Sequence, residues 1–412
     1  MTLAALVEEV LGADLPVGVS AYDGSKAGPP NPSATLVIRT PDALRRVLTA
    51  PGELGLSRAY VAGDLDVEGD IYSLIDLRDR MPSLRLPPTT LKRLVDELGG
   101  WRAVRPVPPP AEEVRLRGRR HSPSRDRAAV SYHYDVSNRF YEMVLGPSMT
   151  YSCAVFGSPD DTLEQAQTAK YELVSRKLDL GPGDRLLDVG CGWGSMAMHA
   201  AEHHGVHGVG VTISQRQYEL AKKRVSDAGL SDRVEIRLQD YRDIDDGPYD
   251  AVSSIGMFEH VGEARLAEYF GRLGGLVKVG GRLLNHGIGR PPSGHARLPN
   301  RSFLNRYVFP DGELHEVGRV VSQIQQAGFE VRHLESLREH YELTLRRWVD
   351  NLERNWDEAV AEVGAARARV WRLYMAGSAV NFMAGRNHIH QVLAVRPTAD
   401  GGSGLDLRES YG

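Results

Sequence analysis

The stretch RLLDVGCGWG at 185–194 constrains the fold of this chain more tightly than any other. Leu186, Leu187 and Val189 read as a strand buried on both faces, Asp188 lies near its end, and glycines follow at 190, 192 and 194. Glycine adopts backbone angles that side chains forbid, so such a turn lets main-chain N–H groups approach a ligand closely. Residues 195–203 then carry an apolar helical pattern. Strand, glycine turn and helix together describe an open α/β sheet with a ligand at the carboxyl ends of its strands. The glycines fall at G-x-G-x-G, whereas a dinucleotide fingerprint needs G-x-G-x-x-G.

Strand-like runs recur at 185–189, 208–212, 234–238, 249–255, 281–287, 329–337 and 390–395, with helical segments between them. Seven strands alternating with helices predict a doubly wound α/β sheet. Ahead of it, residues 1–101 mix short helical patterns with the strand-like ATLVIRT at 34–40, which predicts a small α+β domain. Prolines and arginines dominate 102–127, so this segment reads as a linker. It serves either as a solvated hinge or as a patch for lipid phosphates, because clustered arginine binds phosphate locally. The main domain is expected over 128–412, with the helical stretch 341–386 inserted as a lid.

Cys153 and Cys191 are the two cysteines, too few for a disulfide framework or a zinc cluster, which suits a reducing compartment. The amino terminus carries acids where a secretory signal carries bases, and no apolar run reaches the ~20 residues needed to span a bilayer. A cytoplasmic location is expected. The formal net charge of −4 offers no general attraction to nucleic acid, so no nucleic-acid partner is expected. HHGVH at 203–207 reads as a surface turn, and HIH at 388–390 as the start of the last strand.

Polar residues gather where successive strands end. Thr212, Ser214 and Gln217 follow the second strand, and Asp240 and Tyr241 the third. In order, and at one end of the sheet, they favour a bound ligand over ordinary strand-end polarity. The glycine turn resembles motif I of class I S-adenosylmethionine methyltransferases, which implies the seven-stranded Rossmann-like fold of that class. The cofactor-binding set is then Tyr151, Ser152, Asp188, Gly190, Gly192, Gly194, Thr212, Ile213, Ser214, Gln217, Asp240, Tyr241 and Ile255.

Further motifs stand in order along the chain: HYDVSNRFY at 133–141, YSCAVF at 151–156, VTIS at 211–214, LQDYRD at 238–243, SIGMFEHVG at 254–262 and HYELTL at 340–345. With LDVGCGWG they resemble the cyclopropane-fatty-acid synthase family, which includes mycolic acid methyltransferases, over about 126–396. GLSRAYVAGDLDVEGD at 55–70 is similar to the amino-terminal region of the phospholipid-acting members. The resemblance implies a bound bicarbonate ion held by Cys153, Glu259, His286 and Tyr341, with Tyr151 close by. Methyl transfer from a sulfonium to a carbon–carbon double bond creates a carbocation, and a small, weakly nucleophilic anion held by fixed donors can remove its proton. Cys153 would act through its backbone N–H and not as a nucleophile. Outside the resemblance, a lone His286 is usually a satisfied structural histidine and a strand-end Glu259 is usually solvated. No metal is expected; a site made of His133, His286 and Glu259 is the alternative considered.

The resemblance further implies an unsaturated acyl chain in a membrane phospholipid as substrate, peripheral attachment to the inner membrane face, and a homodimer. Phe140, Tyr141, Met257, Phe258, Phe303, Tyr307, Phe309, Trp348, Tyr374 and Phe382 are candidate walls of an apolar tunnel, or simply core. One cation leads to two products: a cyclopropane, or a 10-methylene branch that a separate reductase converts to a methyl branch. Asn285 and Gly287 flank His286 where phospholipid cyclopropane synthases often read LHTIG, a departure that bears on the product. Other readings are a methyltransferase for a different small-molecule or nucleic-acid acceptor, and a non-catalytic lipid-binding protein.

Overall fold

The computed structural model describes residues 2–11, 16–76, 88–100, 105–114, 136–292, 298–310, 312–408 and 411. The chain divides into two compact units, one of residues 1–115, 299–310 and 356–380, the other of 116–298, 311–355 and 381–412. The helical stretch after 341 is therefore shared between them: its first helix belongs to the second unit and residues 356–380 to the first.

The first unit is the small α+β body. Strands β1 (Val17–Ala21), β2 (Lys26–Ala27), β3 (Ala34–Ile38) and β4 (Leu65–Gly69) form a sheet in the order β2-β1-β3-β4. Helix α1 (Leu3–Leu11) presents Leu3, Leu6 and Val7, at helical spacing, to a core containing Val19, Leu36 and Ile38. Helices α2 (Pro41–Thr49) and α3 (Glu53–Ala62) follow.

Most of the GLSRAYVAGDLDVEGD motif serves this scaffold. Arg58 grips Glu113 with two bonds of 2.7 and 2.8 Å, Arg46 pairs with Asp64 at 2.8 Å, and Asp66 takes both Arg39 and Arg369. Gly63 closes α3 at φ +78, and a Cβ there would stand 2.5 Å from the Arg369 guanidinium. The Glu113 carboxylate is 1% exposed, so the described part of the expected linker, 105–114, is anchored to this unit. The arginines at 115, 117, 119 and 120 lie outside the described residues.

The second unit contains the expected seven-stranded sheet, in the order β10-β11-β9-β8-β5-β6-β7. Its strands are β5 (Arg185–Val189), β6 (His207–Thr212), β7 (Val234–Leu238), β8 (Tyr249–Ile255), β9 (Val277–Gly289), β10 (Glu330–Ser336) and β11 (His388–Val395). All neighbours pair parallel except β11, which is antiparallel to both β9 and β10. From β5 the chain builds outward through β6 and β7, then returns to β8 on the other side. That reversal creates a switch point beside β5, where α/β sheets bind ligands.

The helices are α4 (Asn138–Leu145), α5 (Leu163–Leu178), α6 (Ser195–His204), α7 (Gln215–Asp227), α8 (Leu266–Leu276), α9 (Val317–Gln326) and α10 (Arg338–Arg354). A reciprocal capping box between Thr162 and Gln165 starts α5. Left-handed Gly194 and Gly205 bracket α6. The expected surface turn at 203–207 is instead the last turn of α6, a glycine cap, the buried Val206 and the first residue of β6.

Candidate active site

A cavity opens at the carboxyl ends of β5, β6, β7 and β8. Its wall contains eleven of the thirteen expected cofactor residues: Tyr151, Ser152, Asp188, Gly190, Gly192, Thr212, Ile213, Gln217, Asp240, Tyr241 and Ile255. Gly194 and Ser214 are outside it and act as helix caps, Gly194 for α6 and Ser214, through its hydroxyl, for α7. A Cβ on Gly190 would meet the Met257 side chain at 3.3 Å, while at Gly192 no atom lies within 4 Å of that position. The N–H groups of Gly190 and Cys191 both donate to the Val211 carbonyl at 3.0 Å. These two bonds tie the start of the turn to β6.

The polar groups of the wall are held in defined poses. Thr212 donates to Gln217 at 2.8 Å, and Asp240 accepts from Arg242 through both oxygens. Asp188 accepts from Ser253 at 2.7 Å, yet burial pushes its carboxyl up to about 6. Lys170, fully enclosed in α5, is pulled down to about 7 by burial, with Asp188 opposing the fall. Lys170 and His260 both line the cavity, and sequence reasoning singled out neither. Burial also holds His260 down at about 4.

Glu259, His286, Cys153 and Tyr341 do not line this cavity, but they flank its wall. Strand β8 stops at Ile255, paired with His286, while β9 continues to Gly289. The Ile288 N–H, on the edge that β8 has left, donates to Glu259 Oε1 at 2.6 Å. Phe258 lies flat against Gly287, where a Cβ would fall 1.8 Å from the ring, and so seats the short turn that carries Glu259. The other Glu259 oxygen, Oε2, is buried without a partner, and burial pushes this carboxyl up to about 7.

His286 is 1% exposed and burial holds its imidazole well below the usual range, so it is neutral. Its tautomer follows from a chain of contacts. The Lys177 ammonium, buried in α5, pairs with Glu335 and donates to Gln391 Oε1 at 2.7 Å. The Gln391 amide must then turn its N–H toward His286 Nδ1, 3.3 Å away. The proton therefore resides on Nε2, which is buried with no partner. A hydrogen-bond donor and a carboxylate oxygen are thus each enclosed and unsatisfied, a costly state.

Tyr151, Cys153 and Tyr341 come together where 151–156 packs on α10. Ala154 N donates to Thr344 at 3.0 Å and Phe156 N to His340 at 3.0 Å. Tyr151 stacks on Trp348 at 5.2 Å, and Tyr341 meets the same indole edge-on at 6.0 Å. Burial pushes the Cys153 thiol far up, so it stays protonated and is no nucleophile. Of the candidate tunnel residues, Met257 lines the cavity, while Phe303, Tyr307, Phe309 and Tyr374 belong to the first unit and pack there in pairs. His133 lies outside the described residues.

Comparison with known proteins places this geometry in a family. Residues 121–392 match the model for mycolic acid cyclopropane synthetase. The chain is 48% identical over 404 residues to the probable fatty acid methyltransferase Rv3720 of Mycobacterium tuberculosis, covering 95% of this chain and 94% of that one. It is 32% identical to the cyclopropane-fatty-acyl-phospholipid synthase of Escherichia coli, covering 89% of each. The crystal structure of mycolic acid cyclopropane synthase CmaA1 complexed with SAH and CTAB superposes with a TM-score of 0.61 at 33% identity, covering 65% of this chain and 97% of that one. With the glycine-turn cavity at the switch point, these likenesses show that the chain belongs to the mycolic acid cyclopropane synthetase family and is an S-adenosylmethionine-dependent methyltransferase.

Proposed function

We propose that this enzyme transfers a methyl group from S-adenosylmethionine to a double-bond carbon of an unsaturated fatty acyl chain in a membrane phospholipid. The proton released as product forms would go to a bicarbonate ion held beside the cavity. The observation that carries the reading is the pair of enclosed, unpartnered atoms, Glu259 Oε2 and His286 Nε2. An anion that offers an acceptor oxygen and an O–H donor in one small body suits both. The relatives' names support the lipid acceptor.

When bound, bicarbonate supplies a weakly nucleophilic base that does not compete for the methyl group. His286 would donate its Nε2–H to that ion and Glu259 would accept its O–H. Tyr341 and the backbone of Cys153 would complete the holding set. Tyr151, which lines the cavity with its ring backed by Trp348, would offer an aromatic face that favours a cationic centre. Among the described residues no helix is long and apolar enough to cross a membrane, so the acyl chain would be reached from the lipid surface. A cyclopropane and a 10-methylene chain are both compatible with this arrangement.

Purified enzyme, methyl-labelled S-adenosylmethionine and vesicles of dioleoyl or dipalmitoyl phospholipid test the reading. Label should enter only the unsaturated lipid, one carbon heavier, and vinylic proton signals would separate a methylene from a cyclopropane product. Turnover should fall in CO2-free buffer and recover on adding bicarbonate. Equal labelling of the saturated lipid, or transfer only to a water-soluble acceptor, would refute the acyl assignment. Indifference to bicarbonate would refute the base.

A further inference from the structure

Apart from the cavity, α5 and α6 bring together three side chains that the methyl-transfer reading does not use. Glu172 on α5 takes His199 Nε2 at 3.4 Å and His204 Nε2 at 3.0 Å, both through the same oxygen, Oε2. The candidate ligand atoms of all three lie within 4.8 Å of one another. We propose that Glu172, His199 and His204 bind a divalent transition-metal ion of the zinc class and thereby brace α5 against α6.

Zinc takes imidazole nitrogen and carboxylate oxygen at about 2.0–2.2 Å, so neighbouring ligand atoms on a tetrahedron stand roughly 3.3 Å apart. The two contacts, 3.4 and 3.0 Å, already match that edge length. Each imidazole can keep a proton on Nδ1 and offer Nε2, so a neutral histidine need not be deprotonated to bind. The Glu172 side chain is 42% exposed and that of His204 18%, which gives an ion access and leaves a coordination position for water. His199, at 9%, forms the inner wall. His203 meets the His199 ring at a tilt of 47°, 4.4 Å between centroids, but is half-exposed and lies 3.9 Å from Glu202, which leaves it outside the set. Two imidazoles, a carboxylate and an open position suit zinc better than calcium or magnesium, which prefer all-oxygen shells.

The site borders the methyl-donor cavity through its neighbours. Tyr171, next to Glu172, lines the cavity and touches the His199 ring at 5.3 Å, and α6 contributes Ser195 and Met196 to the same wall. A bound ion would fix two helices that shape this wall.

The test is titration of chelator-stripped full-length protein with Zn2+ by calorimetry, alongside Co2+ as a spectroscopic probe. One equivalent should bind, Co2+ should give the visible bands of a tetrahedral site, and the thermal midpoint should rise with Zn2+. Glu172→Gln and His204→Ala should each weaken binding by more than about tenfold, the least that losing even an orienting partner costs a metal site. His203→Ala should leave binding unchanged. Far-UV spectra identical to wild type would show that the variants fold. Absence of stoichiometric binding, or binding that survives both Glu172→Gln and His204→Ala, would overturn the proposal and leave these residues as a hydrogen-bonded contact between helices.

Discussion

The buried Glu259 carboxyl should make the enzyme's stability depend on pH in a way that one substitution removes. Burial raises this group from its ordinary value of 4.5 to about 7, because Oε2 is enclosed without a partner and the single bond from Ile288 N compensates only in part. The folded chain then holds a proton that the unfolded chain has released. Stability from this group is fully present below pH 4.5 and is lost as pH rises through 7; above that, the enclosed charge costs about 3 kcal/mol. Glutamine preserves the shape and an acceptor for Ile288 N–H but has no charge to bury. In CO2-free buffer, Glu259→Gln should exceed wild type by under about 1 kcal/mol at pH 5 and by about 3 kcal/mol at pH 8. Urea denaturation across that range gives the difference directly, and methyl transfer should fall steeply while S-adenosylmethionine affinity holds. A stability difference that stays flat with pH would mean that the carboxylate is solvated, and the anion-site argument would fall with it.

Gly287→Ala should drive the Phe258 ring away, cost about 1–3 kcal/mol by overpacking, and reduce turnover more than cofactor affinity. Activity and stability equal to wild type would show that the ring shifts freely. Tyr341→Phe should slow turnover by about a hundredfold, as the loss of one fixed donor does, with the fold intact; an unchanged rate would leave the ring as packing for Trp348 and Phe382. Glu113→Ala should destabilise the first unit by about 2–3 kcal/mol, measured by thermal unfolding, because the Arg58 guanidinium would lose both of its bonds to that carboxylate. A smaller loss would mean that water replaces the carboxylate.

The sheet was legible because most of its strands are short apolar runs closed by glycine or polar residues, and five of the seven were placed within a residue at both ends. The exception of note is β9, which begins at Val277 and not at 281. Gly280–Gly281 reads as a break in sequence, yet a register shift opposite Tyr249 absorbs it, and pairing resumes between Ala251 and Arg282. Lys170 and Lys177 escaped notice although they stand seven residues apart on the buried stripe of α5, in a chain with only seven lysines. Charges on an apolar stripe are a readable sign of a functional interior. His199 and His204, which meet Glu172, stand five residues apart on α6, a spacing that is no familiar metal motif. Gln391 could not have been found, since its partner His286 is 105 residues away and only strand register brings them together.

The position of Gln391 also bears on when the enzyme becomes competent. Strand β11 is the last of the sheet to leave the ribosome, yet it inserts between β9 and β10, both made earlier. Until it docks, the His286 ring lacks its Gln391 partner and the Lys177 ammonium lacks its amide acceptor. A chain that lacks β11 would keep the glycine turn between β5 and α6 while the proposed anion-holding histidine stood without its amide partner.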